Sequence, residues 1–525
     1  MPAPAHIVQE DVIGPSLGQE SINASILSFV FAIVVLMIYM CLLYGFIPGM
    51  VANSALILNL FFTLGILASF QAALTLSGIA GMVLTLGIAV DANVLIYERT
   101  REELRAGLKV KEALHEGYKM AFSAIFDSNL TALITGVILL FFGTGPIRGF
   151  ATTYIIGLVI SFFTAVFVTR VIFEHFMSKD KWLNVNFTPP VFGHMCENAH
   201  YNIIGNRGKA YIITAVILIG CVASFATRGL SMGIDFTGGR NYVVQFDKKV
   251  QPEQVRTLIA NKFGKDASVS VIAIGTTGNQ VRISTNYRID ENTPTIEQEI
   301  ESKLYESIKP LLNNGVTLKS FINRDSKAGG YIVSSTKVGA SVASDTTRSA
   351  IVAVLLSLVG IGLYILLRFK NISYSIGSVV ALAVDACIVF GAFSIFWGIL
   401  PFTLEIDQTF IAAILTVLGY SMNDKVVIFD RVREYFHRYK DENRKDLFND
   451  SLNTTLSRTI NTTTCTLLVL IFIFILGAES IRSFAFAMIL GVFFGTLSTL
   501  FISSPIAFNV QEWQARRRAQ KKLNK

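Results

Sequence analysis

Three charged side chains stand inside long apolar runs of this sequence, and they are of types that handle protons. Asp91 lies in Gly87–Glu102, Asp424 in Gly419–Glu434, and Arg458 opens the run that ends at Leu476. A charge at the centre of a bilayer costs at least about 2.5–3.5 kcal/mol, so such residues usually face the interior of a helix bundle and serve a pathway. A carboxyl group binds one proton, and a guanidinium moved toward or away from it changes how tightly. One proton falling through 100 mV makes about 2.3 kcal/mol available. The chemistry open to Asp91, Asp424 and Arg458 is therefore the binding and release of an ion along a pathway, a proton or sodium, since a carboxylate serves either.

Helical rise places the three at similar depth. Asp91 precedes Glu98, at the membrane edge, by about 10 Å, and Asp424 precedes Asp430 by about 9 Å. Counting back from Leu476 puts Arg458 just inside the same edge. Secondary candidates are Asn93, Asn423, Asp127, Asp385 and Lys425. Structural roles compete with these readings. Arg458 could snorkel to headgroups, and Asp91 could satisfy a backbone break near Gly87. Lys425 could point away from Asp424 or serve as its counter-charge. Asp127 and Asp385 could pack on polar neighbours such as Asn129 or Ser394. Glu98–Arg99 and Asp430–Arg431 are expected only to mark the interface, and Gly233–Gly239 to form a turn.

The elements that carry these residues follow from composition. Of 525 residues, 52% are hydrophobic and 16% charged, with mean hydropathy +0.54. Soluble chains carry about 25% charged residues, so most of this chain belongs in a membrane. A spanning helix needs about 20 apolar residues. Candidates fall near 25–44, 54–72, 75–97, 123–142 and 150–175, then 210–227, 348–368, 374–397, 405–429, 459–476 and 483–506. Basic clusters at Arg99–Lys111, Lys179–Lys209, Arg431–Lys445 (Lys440 included) and Arg516–Lys522 all fall on one side of these spans. That side is the cytoplasm by the positive-inside rule, which accounts for the net charge of +8 without nucleic acid. The same alternation puts residue 1 outside, yet Met1–Glu20 contains no signal peptide and no span, so an upstream part is expected to be missing. Cys41, Cys196, Cys221, Cys387 and Cys465 form no CxxC pair and read as packing residues, with no metal or disulfide role. No Walker A motif, HExxH or nucleophile elbow is present, which argues against an enzyme; no cofactor or metal is expected.

Hydropathy drops between about Gly229 and Val338. There Tyr242–Phe246, Ser268–Ile274, Gln280–Ser284 and Tyr331–Ser335 read as strands, and Pro252–Phe263 and Thr295–Leu312 as helices. The order predicts a small ferredoxin-like α+β domain outside the membrane. The chain also repeats itself. Val12–Gly18 matches Lys337–Ala343, Gly87–Glu102 matches Gly419–Glu434, and Ile147–Ala151 matches Ile481–Ala485, at offsets of 325, 332 and 334. Both halves run the same way, which predicts a parallel repeat about an axis along the membrane normal. Asp91 aligns with Asn423, one residue from Asp424, and Ala124 stands where the second half has Arg458.

Gly14-Pro-Ser-Leu-Gly18, Val90-Asp-Ala-Asn-Val94 with Glu98-Arg99, Gly233-Ile-Asp-Phe-Thr-Gly-Gly239, and Ser421-Met-Asn-Asp424 with Phe429-Asp-Arg431 resemble the fused SecD–SecF protein-export membrane proteins of the resistance–nodulation–division superfamily. The resemblance covers essentially the whole chain, without the first SecD span and large outer domain. It implies an all-α polytopic membrane protein with two pseudo-symmetric parallel helix bundles, five plus six spans, and a small ferredoxin-like periplasmic domain. The expected divisions are a periplasmic remnant 1–24, a SecD-like bundle 25–178, a cytoplasmic linker 179–209, a first SecF-like span 210–228, the periplasmic domain 229–338, a SecF-like bundle 339–510 and a basic tail 511–525. It also implies roles in proton movement for the positions of Asp91, Asp424 and Arg458. Lys425 departs from the family pattern, which more often has a small hydroxyl residue there.

The function expected is an auxiliary subunit of bacterial protein export in the inner (plasma) membrane, drawing on a proton or sodium gradient to drive late steps of polypeptide translocation. Its implied partners are a SecYEG-type translocon, small accessory membrane proteins and the translocating preprotein. An efflux pump of the same superfamily and a passive translocon assembly factor are the alternatives.

Overall fold

The computed structural model describes residues 9–72, 74–189, 200–264, 267–274, 278–289, 291, 294–324, 329–400, 402–439 and 442–523. Cys196 and Lys440 lie outside them. The chain opens with strand β1 (Gln9–Ile13), then helices α1 (Pro15–Tyr44), α2 (Phe46–Ser69), α3 (Leu76–Arg105) and α4 (Val110–Phe142). Helix α5 (Gly145–Phe163) runs through a π-helical turn, Thr164–Val168, into α6 (Thr169–Met177). Helix α7 (Arg207–Arg228) leads to a single turn, α8 (Ile234–Thr237), and to the mixed segment β2 (Gly239–Phe246), α9 (Pro252–Phe263), β3 (Val269–Ile274), β4 (Gln280–Thr285), α10 (Pro294–Ile308), α11 (Leu318–Ile322) and β5 (Gly330–Val338). Helices α12 (Ala340–Phe369), α13 (Ile372–Phe396), α14 (Gln408–Arg438), α15 (Arg444–Leu476) and α16 (Glu479–Ser498) follow. A second π-turn, Thr499–Ser503, joins α16 to α17 (Ser504–Leu523).

Eleven helical stretches among the described residues are long and apolar enough to cross a membrane, the number read from the sequence. Most run past the predicted ends. Gly18–Tyr44 begins inside the segment expected to be free of a span, and Arg444–Leu476 extends well before residue 459. Polar ends of helices carry no hydropathy signal, so apolar windows underestimate them. Burial separates the spans into two classes. The most apolar windows of α3 and α14 are 94% and 100% buried, whereas that of α7 is 11% buried. An apolar helix that hides all its faces belongs in the middle of a bundle. Helices α3 and α14 are thus the inner pair, and the intramembrane carboxylates Asp91 and Asp424 lie on them.

Helix α15 packs on α3 as well as on α14, and α4 packs on α14 as well as on α3. Each of the two therefore crosses from its own half to the central helix of the other. Small residues permit the approach. A Cβ at Gly419 of α14 would lie 2.4 Å from Thr135 Oγ1 of α4, while one at Gly87 of α3 would meet Thr466 of α15 only at 3.6 Å.

Outside the bundle, five antiparallel strands form one sheet in the order β1-β5-β2-β4-β3. Alternation explains the register: along β2, Tyr242, Val244 and Phe246 face a core shared with Ile259, Ile300 and Ile332, while their neighbours are more exposed. Strand β1 was not foreseen. It comes from before the first span and pairs with β5 over Gln9↔Val338 to Ile13↔Ser334. Its sequence, Gln-Glu-Asp-Val-Ile, lacks an alternating apolar face because it sits at the sheet edge with little to bury. The Gly233–Gly239 stretch, expected as a turn, contains the helical turn α8 and ends on Gly238 and Gly239 at φ 71° and 150°. Gly239 needs both the conformation and the space, since a Cβ there would stand 2.9 Å from the Thr285 carbonyl oxygen.

Candidate functional site

The guanidinium of Arg458 projects from α15 between the two central helices. Its Nη2 donates to Asp91 Oδ1 of α3 at 3.1 Å, and its Nη1 stands 3.6 Å from Asp424 Oδ1 of α14. All three residues are buried, at 4%, 6% and 6% exposure, which removes the snorkelling alternative for Arg458. Arg458 Nε and Nη1 have no hydrogen-bond partner among the described residues. The guanidinium is thus firmly bonded to one acid, close to a second, and has donors to spare. Asp424 Oδ2 accepts a long hydrogen bond from Thr496 Oγ1 at 3.4 Å, and Thr496 is bonded to Thr463 at 2.8 Å. Those two threonines help line a mostly apolar cavity of about 540 Å³ between α15 and α16. Asn93 and Asn423 are buried on α3 and α14, and Asn93 Oδ1 has no partner among the described residues. No backbone break underlies Asp91, because α3 is continuous through Gly87.

The remaining sequence candidates lie elsewhere. Asp127 does not pack on Asn129, which turns to its own helix and donates to the Ile125 carbonyl. Asp127 instead joins α4 to α12, accepting from Arg368 Nε at 2.6 Å and Tyr364 Oη at 2.8 Å. Asp385 does not pair with Ser394, which bonds Ser224 and the Gly229 carbonyl oxygen. Its partner is Lys425, at 3.2 Å. Lys425 follows Asp424 by about 100° of helix rotation and so points away from the seam.

Glu98 does more than mark the membrane edge. It accepts from Asn461 Nδ2 of α15 at 3.3 Å, from Tyr44 Oη at 2.9 Å and from Arg101 Nη1 at 2.7 Å. Arg101 is 2% exposed and also donates to the Leu43 and Phe187 carbonyl oxygens. One turn beyond, Arg99 contacts Glu102 at 3.0 Å and Glu434 at 3.3 Å, while Arg431 contacts Glu434 at 3.0 Å and Glu102 at 2.9 Å. These four residues close a ring across the seam. The repeat places Arg431 and Glu434 opposite Arg99 and Glu102, a signal that was available in the sequence.

At the other end of α14, the chain before it is stitched to the sheet side. Ile406 N–H donates to the Ser231 carbonyl, and Gly233 N–H to the Ile406 carbonyl, both at 2.8 Å. Arg282 of β4 stands 3.5 Å from Glu405, and Gln408 N–H donates to Asp235 Oδ2 of α8 at 3.1 Å. Burial, then the Asp407 carboxylate, pushes Asp235 up to about 6. Thr144, between α4 and α5, donates to Gln408 Oε1 at 3.2 Å.

Comparison with known proteins matches the chain to the family model described as "Protein export membrane protein SecD/SecF, C-terminal", over residues 2–179 and again over 320–513. The chain belongs to the SecD/SecF family of protein-export membrane proteins. The SecD/SecF GG motif matches residues 223–250, which include α8 and the two glycines that close it. The chain is 32% identical over 511 residues to the protein translocase subunit SecDF of Bacillus subtilis, covering 94% of this chain and 65% of that protein. It is 38% identical over 322 residues to the subunit SecF of Rhodothermus marinus, covering 61% of this chain and 97% of that one. The crystal structure of SecDF, a translocon-associated membrane protein from Thermus thermophilus, superposes with a TM-score of 0.84 at 31% identity, over 98% of this chain and 65% of that chain. The chain thus spans 65% of the length of these SecDF proteins. With its eleven candidate spans, it is a multi-pass membrane protein of this family.

Proposed function

We propose that the chain is part of an ion-driven protein-export device of the bacterial inner membrane, working beside a SecYEG-type translocon and its small accessory membrane proteins. Proton or sodium movement through the seam drives late steps in the passage of a preprotein. One observation carries the reading: a single buried arginine within 3.1 Å and 3.6 Å of two carboxylates on different central helices. Two acids sharing one guanidinium hold one negative charge too many in a dry site. That charge is neutralised at least cost by a bound proton or small cation. A shift of Arg458 toward one acid weakens its hold on the other, so ion loading and helix position become linked. Asp91, Asp424 and Arg458 are the ion-translocation residues in this reading; Asn93 and Asn423 support the polar lining.

The architecture is read as two parallel pseudo-symmetric bundles of five and six spans with a ferredoxin-like periplasmic domain. The reciprocal ring Arg99–Glu102–Arg431–Glu434 and the strand order β5-β2-β4-β3 support it. Relatives are named protein translocase subunits, which supports the export role over drug efflux. The test is export of a preprotein by vesicles bearing Asp424→Asn or Arg458→Ala. Both variants are expected to lose gradient-dependent export while still assembling with the translocon. Normal gradient-dependent export by both would leave a passive assembly factor as the better reading.

A further inference from the structure

The face of α14 opposite the seam holds a second buried charge that the proposed ion path does not use. Lys425 and Asp385 are both fully buried, with side-chain exposure of 0% each. Four oxygens surround Lys425 Nζ. Asp385 Oδ2 of α13 is at 3.2 Å, Ser421 Oγ at 2.5 Å, the Ser421 carbonyl oxygen at 3.2 Å, and Ser498 Oγ of α16 at 3.4 Å. Ser421 Oγ also lies 2.8 Å from Asp385 Oδ2, which ties the cradle together. The other carboxylate oxygen, Asp385 Oδ1, is buried without a partner among the described residues.

An ammonium has three N–H donors, fewer than the oxygens that converge here, and its bonds are directional. A spherical ion has no such limit. A carboxylate, two hydroxyls and a backbone carbonyl are the hard oxygen donors that suit alkali and alkaline-earth cations. Charge selects between these classes. One carboxylate balances one positive charge, and a divalent ion would leave an uncompensated buried charge.

We propose that Lys425 is a tethered cation filling a monovalent-cation site built from Asp385, Ser421 and Ser498, and that this site takes a free alkali cation once the ammonium is removed. With the charge covalently attached, the second half carries no exchangeable ion at this point. Exchange is confined to the seam between the halves. The inference does not depend on what passes through the seam, because its test reads binding and stability and not export.

Full-length Lys425→Ala is purified in detergent with choline chloride and titrated with lithium, sodium or potassium chloride at constant ionic strength. The expected result is a thermal midpoint that rises by several degrees with one of the three cations. Radioactive sodium or rubidium should also bind to about one more equivalent per chain than in the unsubstituted protein. Asp385→Asn/Lys425→Ala, which lacks the cradle carboxylate, should show neither change. An identical response to choline and to all three alkali cations would overturn the proposal, as would equal responses in Lys425→Ala and the double variant. If Lys425→Ala accumulates only when cells are lysed into sodium or potassium salts, that supports the proposal. If neither it nor Lys425→Ser accumulates in any salt while the double variant does, a free cation cannot replace the ammonium and the proposal fails.

Discussion

Arg458 offers two acids a single positive charge, and this shortage sets what its removal must do. Breaking a buried ion pair by deleting one partner typically costs about 3–5 kcal/mol, because the other charge is left uncompensated. Arg458→Ala should therefore lower the unfolding free energy by about that much. Asp91→Asn/Asp424→Asn/Arg458→Ala should recover most of it, since no net charge then remains in the seam. Denaturant unfolding in detergent micelles checks both values. Equal stability of the single and triple variants would mean that the acids are not held as charges near Arg458. A charge within an apolar run stands out in the sequence, for Asp127 and Asp385 as for these three, and it was the resemblance that set Asp91, Asp424 and Arg458 apart. The sequence did not reveal the partners of Asp127, Asp385 or Glu98. Tyr364, Lys425 and Asn461 are chosen by which helices pass each other, and the contacts from one half to the other join residues separated by hundreds of positions.

Each end of α14 is fastened differently, and each fastening has its own expected response. At the basic end, the ring of Arg99, Glu102, Arg431 and Glu434 ties the halves through partly exposed charges. Glu102→Arg should weaken it by about 1 kcal/mol, and inverting all four charges, Arg99→Glu/Glu102→Arg/Arg431→Glu/Glu434→Arg, should restore the loss. Cross-linking yield between cysteines placed on α3 and α14 at that edge would report it. At the sheet end, Asp235 takes up its proton near pH 6, whereas an ordinary aspartate does so near 3.8. The folded chain therefore binds more protons than the unfolded chain between those values. Stability falls as pH rises through this window, and the penalty is complete above about pH 6. Asp235→Asn keeps an oxygen to accept from Gln408 N–H and removes the penalty. It should stabilise the α8 junction by about 1–2 kcal/mol at pH 7.5, after allowance for residual exposure, and by nothing at pH 4. Hydrogen exchange of residues 231–239 at the two pH values checks this. Spacing also separates two aligned glycines. Gly419→Ala must push Thr135 aside, whereas Gly87→Ala meets only ordinary contact, so the first should lower the melting temperature and the second should not.

At the scale of the whole molecule, hydropathy delivered the number of spans because a bilayer rewards length and apolarity with little regard to sequence detail. It also delivered the strands of the outer segment, whose alternation reflects a core of their own. It missed β1, whose pairing depends on backbone groups and on the position of β5, not on a buried face. The pairing is directly testable. Val12 lies opposite Ser335, and directly opposed residues of antiparallel strands stand about 4.5–5.5 Å apart at Cα. That separation suits a disulfide. Val12→Cys/Ser335→Cys should cross-link spontaneously on oxidation, while a pair shifted by one residue, Val12→Cys/Ser334→Cys, should cross-link poorly.

Strand β1 enters α1 almost at once, and β5 runs through Gly339 into α12. Helices α1 and α12 are therefore shackled to each other by a short row of backbone bonds at the sheet side of the helices. Pulling them apart at that level would mean unzipping the row. Sliding along it would break the same bonds before a new register could form. The two ends of the bundle are therefore held by unlike fasteners: a row of backbone bonds at the sheet side, and at the far, basic rim only the partly exposed ring of Arg99, Glu102, Arg431 and Glu434.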